Sequence, residues 1–180
     1  LFCQDWGGLI GLRLVASRPD HFAAVIAGNT GLPTGQGNPS EAFLNWQKFA
    51  ASVPEFPTGK ILQGATVRDL SDAEIAAYDA PFPDETYKAG ARVMPSLVPT
   101  SEDQPGAADN REAWKVFSAW EKPFATCFSD QDPVSRGGEK PFLKYVPSLQ
   151  GKTNRQFTGG GHFFQEDTPE ELSGLIIEVA

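Results

Sequence analysis

The chain has 180 residues, 40% hydrophobic and 21% charged, with a formal net charge of −8; that is the composition of one ordinary soluble globular unit with a real core. The acidic balance argues against a nucleic-acid partner, whose phosphates need clustered Lys and Arg, and no apolar run approaches the ~20 residues that span a bilayer. A small neutral molecule is the expected partner.

Residues 1–4, LFCQ, are apolar and turn-bounded like the end of a buried strand, and LIGLRLVAS has helical spacing until Pro19 stops it. FAAVIAG, 22–28, is the short continuous apolar run of a parallel strand covered on both faces. A right-handed βαβ unit is implied. From Asn29 to about Asn110, Pro and Gly punctuate short helical pieces, among them SEAFLNWQKFAASV and SDAEIAAY, in which Ser71 and Glu74 form a capping-box pattern. The βα rhythm returns with REAWKVFSAW (helix), PFATCFSD (strand), GGEKPFLKYV (helix), TNRQFTG (strand) and TPEELSGLIIEVA, whose Thr168, Pro169 and Glu171 fit N-cap, N1 and N3 of a helix. The prediction is an α/β core, 1–30 and 109–180, interrupted by a helical cap at 31–108.

Cys3 and Cys127 both lie in expected strands, where a thiol behaves as a small buried hydrophobe. No basic stretch followed by an apolar one marks a secretory signal, so the cytoplasm is the expected compartment; the chain starts at Leu1 rather than Met, as a fragment would.

One acid stands out. In Cys3-Gln4-Asp5-Trp6-Gly7-Gly8, small residues lie two before and two and three after Asp5, which is the steric requirement of a nucleophile elbow, a strained turn that lifts one side chain above a sheet. The plainer alternative is an Asp N-cap, which needs no glycine pair. An acid follows a later strand in CFSDQDPVSRG and a histidine follows the last strand in TGGGHFFQE, which is the nucleophile, acid, histidine order of the α/β-hydrolase triad. Asp132, beyond the strand end, is preferred to Asp130, which is better placed to shape the turn. His162 sits at the strand edge where open α/β sheets place ligands, and His21 is expected in an exposed loop.

A carboxylate is anionic at neutral pH, so it can displace a leaving group from an sp3 carbon and form an alkyl ester; a histidine base oriented by a second acid then hydrolyses that ester with water. Carbon–halogen bonds and epoxides are the natural substrates. A departing halide wants N–H donors in a dry pocket, which suits Trp6, beside Asp5, and Trp46 in the cap. Trp114 and Trp120 are assigned to packing. Isolated histidines and unclustered acids offer no metal-ligand spacing, and the chemistry calls for no organic cofactor.

The stretches FCQDWGGLIGLRL, NTGLPTG, FLNWQKF, IAAYDAPFPDETYKAGARVMPSLVP, FSDQDPVSRGG and GGGHFFQED resemble the haloalkane dehalogenases of the α/β-hydrolase fold, most closely the subfamily whose second halide-binding tryptophan sits early in the cap. The resemblance implies Asp5 as nucleophile, Asp132 as acid, His162 as base, Trp6 and Trp46 as halide pair, and the Trp6 backbone N–H as part of an oxyanion hole. Substrate, halide and water are the implied partners. It also implies that strands preceding the elbow are missing, so that this fragment made alone is inactive or insoluble. Two rivals remain: an epoxide hydrolase using lid tyrosines, for which Tyr78 and Tyr87 are available, and a non-catalytic ligand-binding member of the fold.

Overall fold

A computed structural model describes residues 1–152 and 154–179. Among the described residues four strands, β1 (Phe2–Gln4), β2 (Val25–Gly28), β3 (Phe124–Ser129) and β4 (Arg155–Phe157), form one parallel sheet in sequence order. Ile26 pairs with Phe2 on one side and with Ala125 on the other. The expected strand at 22–28 is shorter than predicted, because the chain leaves a 3-10 turn at Pro19–His21 and is free to pair only from Val25. Thr153, at the head of the last expected strand, and Ala180, at the end of the last expected helix, lie outside the described residues.

Helix α1 (Trp6–Ser17) follows the elbow and stops before Pro19, whose ring cannot continue the ladder. Between β2 and β3 come α2 (Glu41–Ser52), α3 (Thr58–Gly64), α4 (Asp72–Asp79), α5 (Ala89–Val93) and α6 (Ala107–Phe117). Ser40 Oγ accepts from Phe43 N to cap α2, and Ser71 with Glu74 completes both halves of the capping box on α4. Helix α3 has no side-chain cap hydrogen bond at its N-terminus, so no local signal marks its start. Helix α6 packs on α1 and begins four residues before the run that predicted it. Helices α7 (Glu139–Tyr145), α8 (Phe164–Asp167) and α9 (Pro169–Val179) complete the chain.

The sheet carries an apolar cluster on each face. Leu12, Val15, Phe117, Phe124 and Phe142 fill one, and Ile26, Phe157, Phe164, Leu172 and Leu175 fill the other. Cys3 belongs to the first and Cys127 to the second, so the sheet separates the two thiols. Both are free, and burial pushes each thiol up to about 12. All four strands run the same way, so their C-terminal ends share one edge, and Asp5, Asn29, Asp130 and the loop to His162 follow there.

Candidate active site

Asp5 is the residue between β1 and α1, and its backbone sits at φ 47°, ψ −127°, a region that costs a residue with a Cβ of the order of 1–3 kcal/mol. The strain is held by hydrogen bonds on both sides. Asp5 N donates to Asn29 O (3.1 Å), while Thr30 Oγ1 (2.7 Å) and Gly8 N (2.9 Å) donate to Asp5 O. The N-cap alternative fails, since the Asp5 side chain makes no cap hydrogen bond to α1. Of the two glycines, Gly8 is the sterically required one: a Cβ there would lie 1.9 Å from Thr30 Oγ1, whereas at Gly7 no described atom comes within 4 Å.

The freed carboxylate faces His162. Its Oδ1 lies 3.2 Å from His162 Nε2, and His162 Nδ1 lies 2.9 Å from Asp132 Oδ2. Three residues separated by 127 and 30 positions are thus joined in one line, acid, imidazole, acid. Asp132 is 1% exposed and also accepts from Val134 N (2.8 Å) and from the Ser135 hydroxyl. Burial opposes its charge, but the bonds from His162, Ser135 and Val134 outweigh that and hold the carboxyl below its ordinary range. Asp130 has the other role expected of it, accepting from Gly159 N at 2.9 Å to shape the turn.

His162 is pulled two ways. Burial disfavours its cation, yet hydrogen bonds and charge from Asp132 and then Asp5 prevail and lift its pKa to about 9. The ring is therefore protonated near neutrality and donates to both acids. His21, by contrast, is exposed at the end of its 3-10 turn.

The main chain around His162 is fixed by a residue that the sequence did not single out. Asn29, 1% exposed and at φ 37°, donates through Nδ2 to Ser129 Oγ (2.7 Å), Gly161 O (2.9 Å) and His162 O (3.0 Å), and its Oδ1 accepts from Ser129 N (3.0 Å). Gln4 Nε2 adds a second donor to His162 O at 3.0 Å. The available signal was a buried strand ending in Asn, a residue that tolerates left-handed backbone and carries both donor and acceptor.

A cavity of about 780 Å³ opens over Asp5 and His162 and is also lined by Leu9, Phe43, Val98 and Trp114. Neither Trp6 nor Trp46 lines it. Trp6 borders a separate cavity between α1 and α6, and Trp46 stacks on Phe49 with Phe56 edge-on at 6.0 Å. The Trp6 backbone N–H, as the first residue of α1, stands outside the helical hydrogen-bond ladder. Trp114 packs on the core and donates to Leu32 O (2.8 Å), and Trp120 is buried in the same cluster. The candidate lid acids are turned elsewhere: Tyr78 OH donates to Glu166, which raises its pKa to about 12, and Tyr87 is 62% exposed.

No family model matches the chain. It is 52% identical over 178 residues to a haloalkane dehalogenase of Psychrobacter cryohalolentis, covering 99% of this chain and 59% of that protein. A haloalkane dehalogenase of Mycobacterium marinum is 44% identical over 177 residues, covering 98% of this chain and again 59% of the relative. The chain thus spans about three-fifths of the length of the curated relatives it matches. Among solved structures, the tetrameric haloalkane dehalogenase DpaA of Paraglaciecola agarilytica superposes with a TM-score of 0.84 at 28% identity, covering 97% of this chain and 58% of that one. The haloalkane dehalogenase DbeA of Bradyrhizobium elkani, with a TM-score of 0.76 at 22% identity over 99% of this chain and 67% of its own, shares the fold.

Proposed function

We propose, for a chain that belongs to the haloalkane dehalogenases of the α/β-hydrolase fold, that its protein hydrolyses small haloalkanes to alcohol and halide. The observation that carries this reading is the line Asp5–His162–Asp132, in which an uncapped carboxylate on a strained elbow faces an imidazole backed by a buried acid.

In the first step the Asp5 carboxylate attacks the carbon bearing the halogen; the carbon–halogen bond breaks, halide leaves with the electron pair, and an alkyl ester forms on Asp5. The ester no longer carries the charge that helps to hold the His162 pKa near 9. The ring's pKa then falls, its proton passes to solvent, and the neutral Nε2 is left facing the ester. In the second step His162 takes a proton from water as the oxygen attacks the ester carbonyl, and Asp132 stabilises the imidazolium. Collapse breaks the bond to the alkoxide, which takes the remaining hydroxyl proton of the intermediate and leaves as alcohol, restoring the Asp5 carboxylate beside protonated His162. The Trp6 backbone N–H is the oxyanion donor of this proposal.

Trp6 and Trp46 are kept as the halide pair on the family likeness alone, since neither indole lines the cavity above Asp5. The division into core (1–30 and 109–180) and cap (31–108), the cytoplasmic location and the inactivity of the isolated piece belong to the same proposal. Epoxide hydrolysis is disfavoured, because Tyr78 is engaged by Glu166 and neither Tyr78 nor Tyr87 lines the cavity.

The test uses the complete open reading frame that contains this chain. Bromide release from a short dibromoalkane is measured beside diol formation from a styrene-type epoxide, for wild type and Asp5→Asn. Bromide release that vanishes in Asp5→Asn is expected; consumption of the epoxide alone would overturn the proposal.

A further inference from the structure

His162 is gripped from the cap as well as from the sheet. Gly161 N, immediately before it, donates to Asp167 Oδ2 (2.8 Å), and Phe163 N, immediately after it, donates to Ala65 O of the cap (3.2 Å). The other oxygen of the same carboxylate, Asp167 Oδ1, accepts from Val67 N and Arg68 N, each at 2.9 Å. One side chain therefore closes three backbone N–H groups, two in the cap and one adjoining the histidine. The approach is close: a Cβ on Gly161 would lie 2.5 Å from Ala65 O and 3.2 Å from Thr66 Cα, so only glycine lets the cap backbone rest there.

The neighbouring acid secures the same seam. Glu166 pairs with Arg68 through Oε2 (2.6 Å), accepts from the Tyr78 hydroxyl, and lends its carbonyl to Arg68 Nε at 2.7 Å. Arg68 in turn reaches Glu74 on α4 at 2.7 Å. The segment 65–68 thus hangs from the end of α8, the short helix that starts two residues after His162.

We propose that Asp167 is a positioning residue that couples the cap to His162, holding cap segment 65–68 and the imidazole-bearing loop in one register so that Nε2 stays aimed at the Asp5 ester. The proposal rests on His162 acting as the base of the hydrolytic step. Asp167 touches no reacting atom, so its removal spares the displacement by Asp5 and slows the hydrolysis that depends on the angle of the ring.

The experiment is a rapid-mixing measurement of bromide release by the complete protein, with intact-mass detection of the alkylated enzyme, for wild type, Asp167→Ala and Asp167→Asn. In Asp167→Ala the expected result is a retained burst of one bromide per active site, steady turnover slowed about tenfold to a hundredfold as for a catalytic group misplaced by about 1 Å, and accumulation of ester. Asp167→Asn keeps one carbonyl oxygen, which can serve the cap or Gly161 but not both, and is expected to fall between the two. Unchanged turnover in both variants overturns the proposal, as does a burst and turnover that fall together with the folded fraction, or failure of both variants to fold, since each marks a role in stability alone. A wild type that releases no bromide would sink the underlying dehalogenase reading instead.

Discussion

In the sheet and the helices packed on it, β2 is buried along its whole length and Phe117, Phe142 and Phe157 are sealed from solvent, whereas in the cap α4 buries no residue and α2 only Ala50. Beside the small aromatic cluster of Trp46, Phe49 and Phe56, charged groups tie the cap together. Arg68 joins Glu74 and Glu166, and Glu85 binds both Lys88 and Arg92 while accepting from Phe56 N. Apolar burial scales with area and is not screened by salt, but half-exposed ion pairs are. The floor of the cleft is thus fixed by burial, its roof leans on charges as well, and the two meet at the backbone of residues 161–163.

The contrast breaks most severely in the floor. Phe142→Ala removes a fully buried ring that contacts Trp114 and Phe124, and is expected to cost about 3–5 kcal/mol in urea unfolding; a loss below ~1 kcal/mol would contradict a packed floor. Next comes the seam between floor and roof. The pKa of folded His162, about 9, exceeds the ordinary imidazole value of 6.5, so its ion pairs add stability that is fully present below pH 6.5 and is lost as pH rises through about 9. Asp5→Asn removes one of the two supporting charges, and the loss should then occur at lower pH; identical stability–pH curves for wild type and variant would refute the pairing. The roof should respond least. Arg68→Met is expected to lower stability only slightly, because the arginine side chain is 37% exposed, and the difference should shrink in high salt. A salt-independent loss would mean that the cap is held by packing after all.

Local patterns reported local structure well. The apolar runs located β1 to β3 and the alternating rhythm of strands and helices located β4, the small residues around Asp5 marked a turn that the backbone adopts at φ 47°, and Ser71 with Glu74 capped the helix that it announced. The chain order of Asp5, Asp132 and His162 also anticipated their meeting, since parallel strands bring their C-terminal ends to one edge. Helix α3 was missed because it lacks a side-chain cap and a clear apolar stripe.

What the sequence by itself determined was therefore the strands, the helices that carry a cap or an apolar stripe, their order along the chain, and the three residues of the acid–imidazole–acid line, because each is announced by neighbours within a few positions. Tertiary structure alone decided that Asn29 would bind the carbonyls of residues 161 and 162, that Asp167 would tie the cap to Gly161, and that Trp46 would stack on Phe49 and Phe56 away from the cavity. The hydrogen bonds of Asn29 span 132 and 133 positions and those of Asp167 to the cap 99 and 100. A polar side chain can serve any backbone group that the fold brings within about 3 Å, and no short-range pattern records which one that is.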